Sequence, residues 1–515
     1  MLQRNGFLLP QTAHLKRLAF ALLVLVGLAN GLRLPLPANE PKPPQRASVK
    51  PNVLFIISDD LSMALSGMGH PECKTPNLDA FARTGVSFTS AYCQFPLCGP
   101  SRASLMTGQY PLVNGVTGNG GTVDAHRNTL PKHFANHGYW TGRVSKIYHM
   151  GIPGDIVEGK PGNDHPASWL EAYNMTAMEA ITPGKAIDYL KPENVQQYSA
   201  ERKKWLAAQA SNQTYQHTQV ARAQYASIEV AEEDQGLLVD TMTTDKAIEL
   251  LQQRASDRQP FFLAVGLVRP HFPFIGTTET MGQYQAAELA IPNVPADDHR
   301  DMPKQTINTV LKFETPAQRG MRRAYFGAVS FMDRQVGRLL QSLETLHLRD
   351  NTIVVFVSDH GYLLGEHHMW KKAKLWEEAI HVPVIISAPG KTKGATCEQT
   401  VELVDLYPTL TDLAGLPPDP AAQGDSLVSL LDDPTTSRDK KNAFIQVNGG
   451  FGLRQGRWAY MWYPKSKKHP EGSMLYDMRQ DATQYHNLAQ RKEHQGTRRK
   501  LHRILMERIQ AAKGQ

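Results

Sequence analysis

The sequence predicts an α/β fold with a large, mostly parallel central sheet flanked by helices, plus a smaller C-terminal α+β domain with an antiparallel sheet. Three observations predict it. Short β-branched apolar runs recur, and each ends abruptly in polar residues, as strands buried on both faces do. Helical patterns lie between them, the alternation of a covered parallel sheet. After about residue 436 the apolar runs become closely spaced along the chain, which suits antiparallel pairing.

Residues 18–28 are almost continuously apolar, with Lys16-Arg17 before them and Ala29-Asn30-Gly31 after. This reads as a secretory signal over residues 1–31, with an uncleaved anchor as the alternative. The run is short for a bilayer span, and no other segment is long and apolar enough to cross one. The expected location is secreted or periplasmic, and lysosomal if the host is animal. Residues 32–49 are proline-rich and predict a flexible leader.

The run 52–57 (N-V-L-F-I-I) opens the folded part and delivers Ser58-Asp59-Asp60. Residues 261–267 form a second such strand, delivering Arg269-Pro270-His271, and 352–357 a third, delivering Ser358-Asp359-His360. Ligands of open α/β sheets bind at the carboxyl ends of strands, so these polar groups are expected at one place. Between them, residues 321–346 place Tyr325, Val329, Met332, Val336, Leu339 and Leu343 on one helical stripe. Residues 176–235 are polar, rich in Gln and Ala and without a strand signal, and are expected to be a helical or loop insertion. Residues 443–447 and 457–463 predict antiparallel strands, and 501–509 a terminal helix. The expected domains are 50–436 and 437–515.

A chain of 515 residues can bury a large core and a further unit. Its net charge is +7, of which Arg4, Lys16 and Arg17 supply three. The remaining excess suits an anionic substrate and does not argue for nucleic acid. The four cysteines are Cys73, Cys93, Cys98 and Cys397. That is too few for a disulfide scaffold, and none are spaced as a zinc site.

Cys98 stands in Cys98-Gly99-Pro100-Ser101-Arg102, with Thr107-Gly108 after it. A helix starting at Cys98 would turn free backbone N–H groups towards an anion. Asp59-Asp60 and Asp359-His360 form a second constellation. Hard divalent cations take oxygen ligands, and the number of carboxylates favours calcium over magnesium. His360 would add a nitrogen ligand or bond the anion instead; the alternative for Asp59-Asp60 is a helix N-cap pair. Lys146 and His149 offer a charge and a proton carrier, although Lys-x-x-His is a weak pattern. His271 lies between two prolines that fix its loop. Lys372 is a candidate substrate lysine, with Lys371 and Lys374 as competitors in the same basic turn.

These motifs together resemble the type I, formylglycine-dependent sulfatases of the alkaline-phosphatase superfamily, most closely the iduronate-2-sulfatase branch. The similarity runs from about residue 52 to 488. It rests on N-V-L-F-I-I-S-D-D, C-G-P-S-R-A-S-L-M-T-G, S-K-I-Y-H-M-G-I, V-R-P-H-F-P-F, S-D-H-G-Y-L-L-G-E-H and V-E-L-V-D-L-Y-P-T-L-T-D-L-A-G-L. The resemblance implies an alkaline-phosphatase-like fold and hydrolysis of a sulfate ester, on a sulfated sugar or polysaccharide. It implies a maturase, the formylglycine-generating enzyme or an equivalent, that oxidises Cys98 to formylglycine. It implies one calcium ion held by Asp59, Asp60, Asp359, His360 and the formylglycine at 98. Arg102, Lys146, His149, His271 and Lys372 would surround the sulfate. His149 would be the acid or base beside residue 98, and His271 or Lys372 would help the leaving oxygen. With Cys98 converted, Cys73, Cys93 and Cys397 allow at most one disulfide. The family usually has Trp where this chain has Tyr362, and often Tyr where it has Ala373, both on the expected sugar side. Two other functions compete: a phosphatase or phosphodiesterase of the same superfamily, and a non-catalytic sulfated-glycan-binding protein in which Cys98 stays a thiol.

Overall fold

A computed structural model describes residues 50–177, 184–213, 226–307 and 313–513. The expected signal segment and leader lie outside these residues. Within them, eight strands form one sheet: β1 (Asn52–Asp59), β2 (Val86–Phe88), β3 (Trp140–Ser145), β4 (Glu171–Tyr173), β5 (Phe261–Pro270), β6 (Thr352–Ser358), β7 (Val384–Ser387) and β8 (Ala395–Cys397). Their order is β8-β2-β7-β6-β1-β5-β3-β4. Only β7 runs against the rest, pairing antiparallel with β6 and β2.

Strand β1 shows why the sheet is central. Val53, Phe55 and Ile57 enter one apolar cluster, and Leu54 and Ile56 enter another on the opposite face. A strand buried on both faces cannot alternate with polar residues, and it reads as a continuous apolar run. The ten-residue helix α1 (Cys98–Thr107) lends Ala103, Leu105 and Met106 to the first cluster. On the other face lie α2 (Val239–Ala255) and the 31-residue α3 (Thr315–Thr345). All six residues of the predicted α3 stripe are buried there. Each such side chain contributes roughly 1.5–3 kcal/mol of burial.

Residues 176–235 depart from expectation. The helix Asn194–Ala210 is present, but Lys185–Asp188 and Ala226–Val230 are strands. They form a three-stranded sheet with Phe274–Thr277. Ala226–Val230 pairs parallel to a partner almost fifty residues away, a long-range contact that local pattern does not encode.

The four closing strands are β9 (Asn442–Val447), β10 (Gly450–Gln455), β11 (Trp458–Tyr463) and β12 (Gly472–Asp477), an antiparallel meander. Alternation splits their faces. Ala443, Ile445, Met461 and Tyr476 join the core of the large sheet. Phe444, Leu453, Tyr460 and Leu475 pack on Leu501, Leu505 and Ile509 of α4 (Gln495–Ala512). All four cysteines are buried and free. No described helix is long and apolar enough to cross a membrane.

Candidate active site

Four neighbouring parallel strands, β6, β1, β5 and β3, end side by side. Their carboxyl ends deliver Asp359-His360, Asp59-Asp60, His271, and Lys146 with His149. The β1–β6 register pairs Ser58 with Ser358, so both acidic motifs leave the sheet at one level. Gly266 of β5 allows the close approach of β3, because a Cβ there would lie 2.1 Å from the Lys146 carbonyl oxygen. Sequence pattern had identified three of these strands. The fourth, β3, supplies Lys146 and His149.

Asp59, Asp60, Cys98, Arg102, Lys146, Asp359 and His360 are all fully buried. Asp60 takes a left-handed backbone, φ 66°, uncommon for a residue other than glycine. Tyr325 holds that turn: its hydroxyl donates to the Asp60 carbonyl at 2.8 Å and accepts from the Ser62 N–H at 2.9 Å. The Asp60 N–H donates to Asp359 Oδ1 at 3.2 Å. Cys98 opens α1 with its sulfur 3.3 Å from His360 Nε2 and 3.1 Å from Lys372 Nζ. Lys372 also ion-pairs with Asp60, and Lys146 with Asp59. Of the three competing lysines, Lys372 reaches the centre; Lys374 donates to the Thr306 carbonyl at 2.9 Å.

The expected ring of helix N–H donors is not available as a set. Gly99 donates to Asn119 Oδ1 at 2.9 Å, Pro100 has no N–H, and Ser101 closes the first turn on the Leu97 carbonyl. Arg102 stands behind the carboxylates. Its guanidinium donates to Asp359 Oδ2 at 2.7 Å, lies 3.3 Å from Asp59 Oδ1, and bonds the carbonyls of Ser58, Lys146 and Ile147. It cross-links α1 to three strand ends.

Charge couples these groups tightly. Burial alone would raise the Asp59 carboxyl, but Lys146, His271, Arg102 and Lys372 outweigh it and hold it well below the usual carboxylate range. Burial pushes Asp60 up to about 7, against the pull of Lys372. Burial and Asp59 act to raise the Cys98 thiol, yet Lys372, Lys146 and His360 leave it below its ordinary value. Burial opposes charge on His360, but Asp359 and Cys98 bring it up to about 9. Burial, then Lys146, pushes His149 down to about 3. Burial, then Lys372, holds His271 well below its ordinary value.

The donor set fits a hard cation. Ligand atoms of Asp59, Cys98, Asp359 and His360 lie within 4.8 Å of one another, as do those of Asp59, Asp60, Cys98 and His271. Asp59 Oδ1 and Asp60 Oδ2 are buried and accept no hydrogen bond. His360 Nδ1 sits 2.9 Å from the Gly361 carbonyl and donates its proton there, which leaves Nε2 facing Cys98 and the carboxylates; a cation held there would take the place of the Nε2 proton.

Sequence reasoning missed the supporting residues. Asp240 of α2 accepts from the Val268 and Arg269 N–H groups at 2.7 and 2.9 Å. Arg269 Nη1 then donates to the carbonyls of His271 and Pro273, each at 2.7 Å. Asp240, Arg269 and Tyr325 carry no local signal that separates them from ordinary helix and strand residues. Tyr362, expected on the sugar side, is buried and stacks on Tyr325 at 5.7 Å. Ala373 is exposed.

Comparison with known proteins agrees with this geometry. The family model described as Sulfatase matches residues 51–416, and that described as N-sulphoglucosamine sulphohydrolase, C-terminal, matches residues 365–511. Iduronate 2-sulfatase of Mus musculus is 30% identical over 422 residues, covering 72% of this chain and 69% of the mouse protein. A phosphonate monoester hydrolase from Silicibacter pomeroyi superposes with a TM-score of 0.72 at 22% identity, covering 90% of this chain and 96% of that one. A protein solved with its substrate D-glucosamine-2-N,6-O-disulfate superposes with a TM-score of 0.66 at 22% identity, covering 90% and 98%. The two structures share the fold, and the family model spans most of the chain, including every strand end that meets at Cys98. The chain belongs to the sulfatase family, on an alkaline-phosphatase-like fold.

Proposed function

We propose that this sulfatase hydrolyses a sulfate ester on a sulfated sugar or polysaccharide, with residue 98 oxidised from cysteine to formylglycine by a maturase. The observation that carries the reading is the placement of Cys98, with its sulfur among Lys372, His360 and the carboxylates. That sulfur stands in for the hydroxyl groups of the hydrated aldehyde. The aldehyde supplies a nucleophile when hydrated and a route to release sulfate by re-forming its carbonyl. Asp59, Asp60, Asp359 and His360 would hold a calcium ion, which supplies positive charge against the sulfuryl oxygens.

The chain's own residues do the rest. Lys146 and Lys372 bring fixed positive charge to the sulfate, where preorganised charge is worth most. Arg102 fixes Asp59 and Asp359 in place. His149 is neutral at neutral pH, and its Nδ1 is buried without a hydrogen-bond partner. It serves as the base or acid beside residue 98. His271, held by the Asp240–Arg269 clamp, or Lys372 assists the leaving oxygen.

The sugar class follows the 30% identity to the mouse iduronate 2-sulfatase. Ala373, exposed next to Lys372 where the family often has Tyr, leaves the identity of the sugar open, whereas Tyr362 is buried against Tyr325 and does not bear on it. The N-terminal apolar run supports secretion or another extracytoplasmic location. The test is sulfate release by matured protein from a panel of sulfated mono- and oligosaccharides, beside matched phosphate esters. Release from sulfated sugars is expected. Preferential phosphate release would favour the phosphoesterase reading.

A further inference from the structure

Charge is divided unevenly along this chain. Residues 437–515 hold 17 Lys+Arg against 6 Asp+Glu, a net of +11, whereas residues 50–436 hold 33 against 42, a net of −9. Part of this excess is clearly at the surface: Lys441, Arg491, Lys492, Arg499, Lys500 and Arg503 are all exposed. A protein whose larger part is acidic thus presents one strongly basic region.

That region contains a shaped site. An open groove of about 510 Å³ runs between the β10–β11 turn and the start of α4, with Lys441, Arg457, Trp458, Thr497 and Lys500 in its lining. The volume lies in the range of ligand clefts. Glu398 is its only acidic lining residue, and none of its lining residues belongs to the centre at Cys98. Arg457 is fixed by Asp477 at 2.8 Å and lies 5.0 Å over the Trp458 ring. The side chains of Lys441 and Lys500 make no ion pair or hydrogen bond among the described residues and are exposed. Two uncommitted ammonium groups beside Arg457 and a half-buried indole match a sugar chain bearing anionic substituents: the anions meet the cations and the sugar packs on the part of Trp458 that lines the groove.

We propose that this groove is a second binding site, separate from the catalytic centre, for an anionic stretch of a sulfated polysaccharide. The inference rests on the sulfated-sugar reading above and extends it from a monomer to a polymer. A tethered second contact raises the effective concentration of ester groups at Cys98. It lowers KM for polymer and leaves small esters unaffected.

The experiment uses full-length matured protein on immobilised dextran sulfate, with unsulfated dextran as control and a salt series. The wild type should bind dextran sulfate in a salt-sensitive way. Lys441→Glu with Lys500→Glu should bind about tenfold more weakly, because each reversal replaces an attraction by a repulsion. Lys467→Glu with Lys468→Glu makes the same charge change outside the groove and should cost about twofold or less. All variants should hydrolyse 4-nitrocatechol sulfate at the wild-type rate, which also shows that they are folded. Equal losses in the two pairs, no loss in the groove pair, or binding to phosphatidylserine vesicles but not to dextran sulfate would each overturn the proposal. Lack of turnover of the small ester in the wild type would instead defeat the catalytic reading, and the dextran sulfate comparison would still decide the groove.

Discussion

Lys372 Nζ lies 3.1 Å from Cys98 Sγ and also pairs with Asp60. One ammonium therefore serves both Cys98 and the Asp60 carboxylate. Burial works against its charge, but Asp60 and Cys98 hold the amine well above its ordinary value, so it stays cationic across the working range. Lys372→Met should lower kcat/KM on a small sulfate ester by about 10²–10³. Lys371→Met should have an effect of about threefold or less. Steady-state kinetics of the two variants separates these outcomes, and equal losses would contradict the placement.

Removal of divalent cations gives a second prediction. Asp59 Oδ1, which has the Arg102 guanidinium at 3.3 Å, and Asp60 Oδ2 are buried without a hydrogen bond, an arrangement that a bound cation would relieve. Exhaustive dialysis against EDTA should abolish sulfate release, and calcium should restore it. Thermal unfolding should shift up with calcium, because the ion binds the native state. Asp59→Asn should lose that calcium-dependent shift.

His149 gives a prediction on pH. Burial and Lys146 disfavour its protonated form and push it down to about 3. The imidazole therefore binds a proton only near or below that value, and its neutral form persists as pH falls from 7 to 5. His149→Ala should lower kcat by about 10²–10⁴ without moving the acid limb of the rate profile. A limb near pH 6.5 that disappears in the variant would show an ordinary histidine.

Away from the site, Lys440 ties β9 to the segment before the helix Leu406–Leu413 through Asp405 at 2.7 Å and Glu402 at 2.6 Å. Burial opposes the Asp405 charge, but Lys440 and Arg438 hold it below its ordinary value. A depressed carboxyl stabilises the fold above its unfolded value of about 3.9, and loses that contribution as pH falls through the folded one. Lys440 is raised by Asp405 and Glu402 despite burial. Its contribution is full below about 10.4 and is lost as pH rises through the folded value. Lys440→Met should cost about 3 kcal/mol at neutral pH by leaving buried carboxylates under-compensated. Urea titration at pH 7 checks the size, and a series continued well below about pH 3.9 checks the narrowing, which should be nearly absent at pH 4.

The parts of the fold legible in the sequence are those where local pattern and tertiary role coincide. β1, β5 and β6 are apolar because both faces are covered, so their runs and acidic ends can be read directly. β3 escapes because it is W-T-G-R-V-S. Its buried Arg143 is met by Asp164, Asn174 and the carbonyls of Ser145 and Tyr173, partners invisible to periodicity. Lys372 could not be separated from Lys371 and Lys374 for the same reason. The Cys98 motif stood out because its residues are contiguous. The Asp240 clamp and the Tyr325 brace did not, because their partners lie 28 and 265 residues away.

The measurement that bears most directly on the account is mass mapping of the peptide containing residue 98, from protein that releases sulfate. The side chain should be CHO in place of CH₂SH, in a fraction that tracks specific activity across preparations. Full activity in material whose residue 98 is entirely a thiol would contradict it.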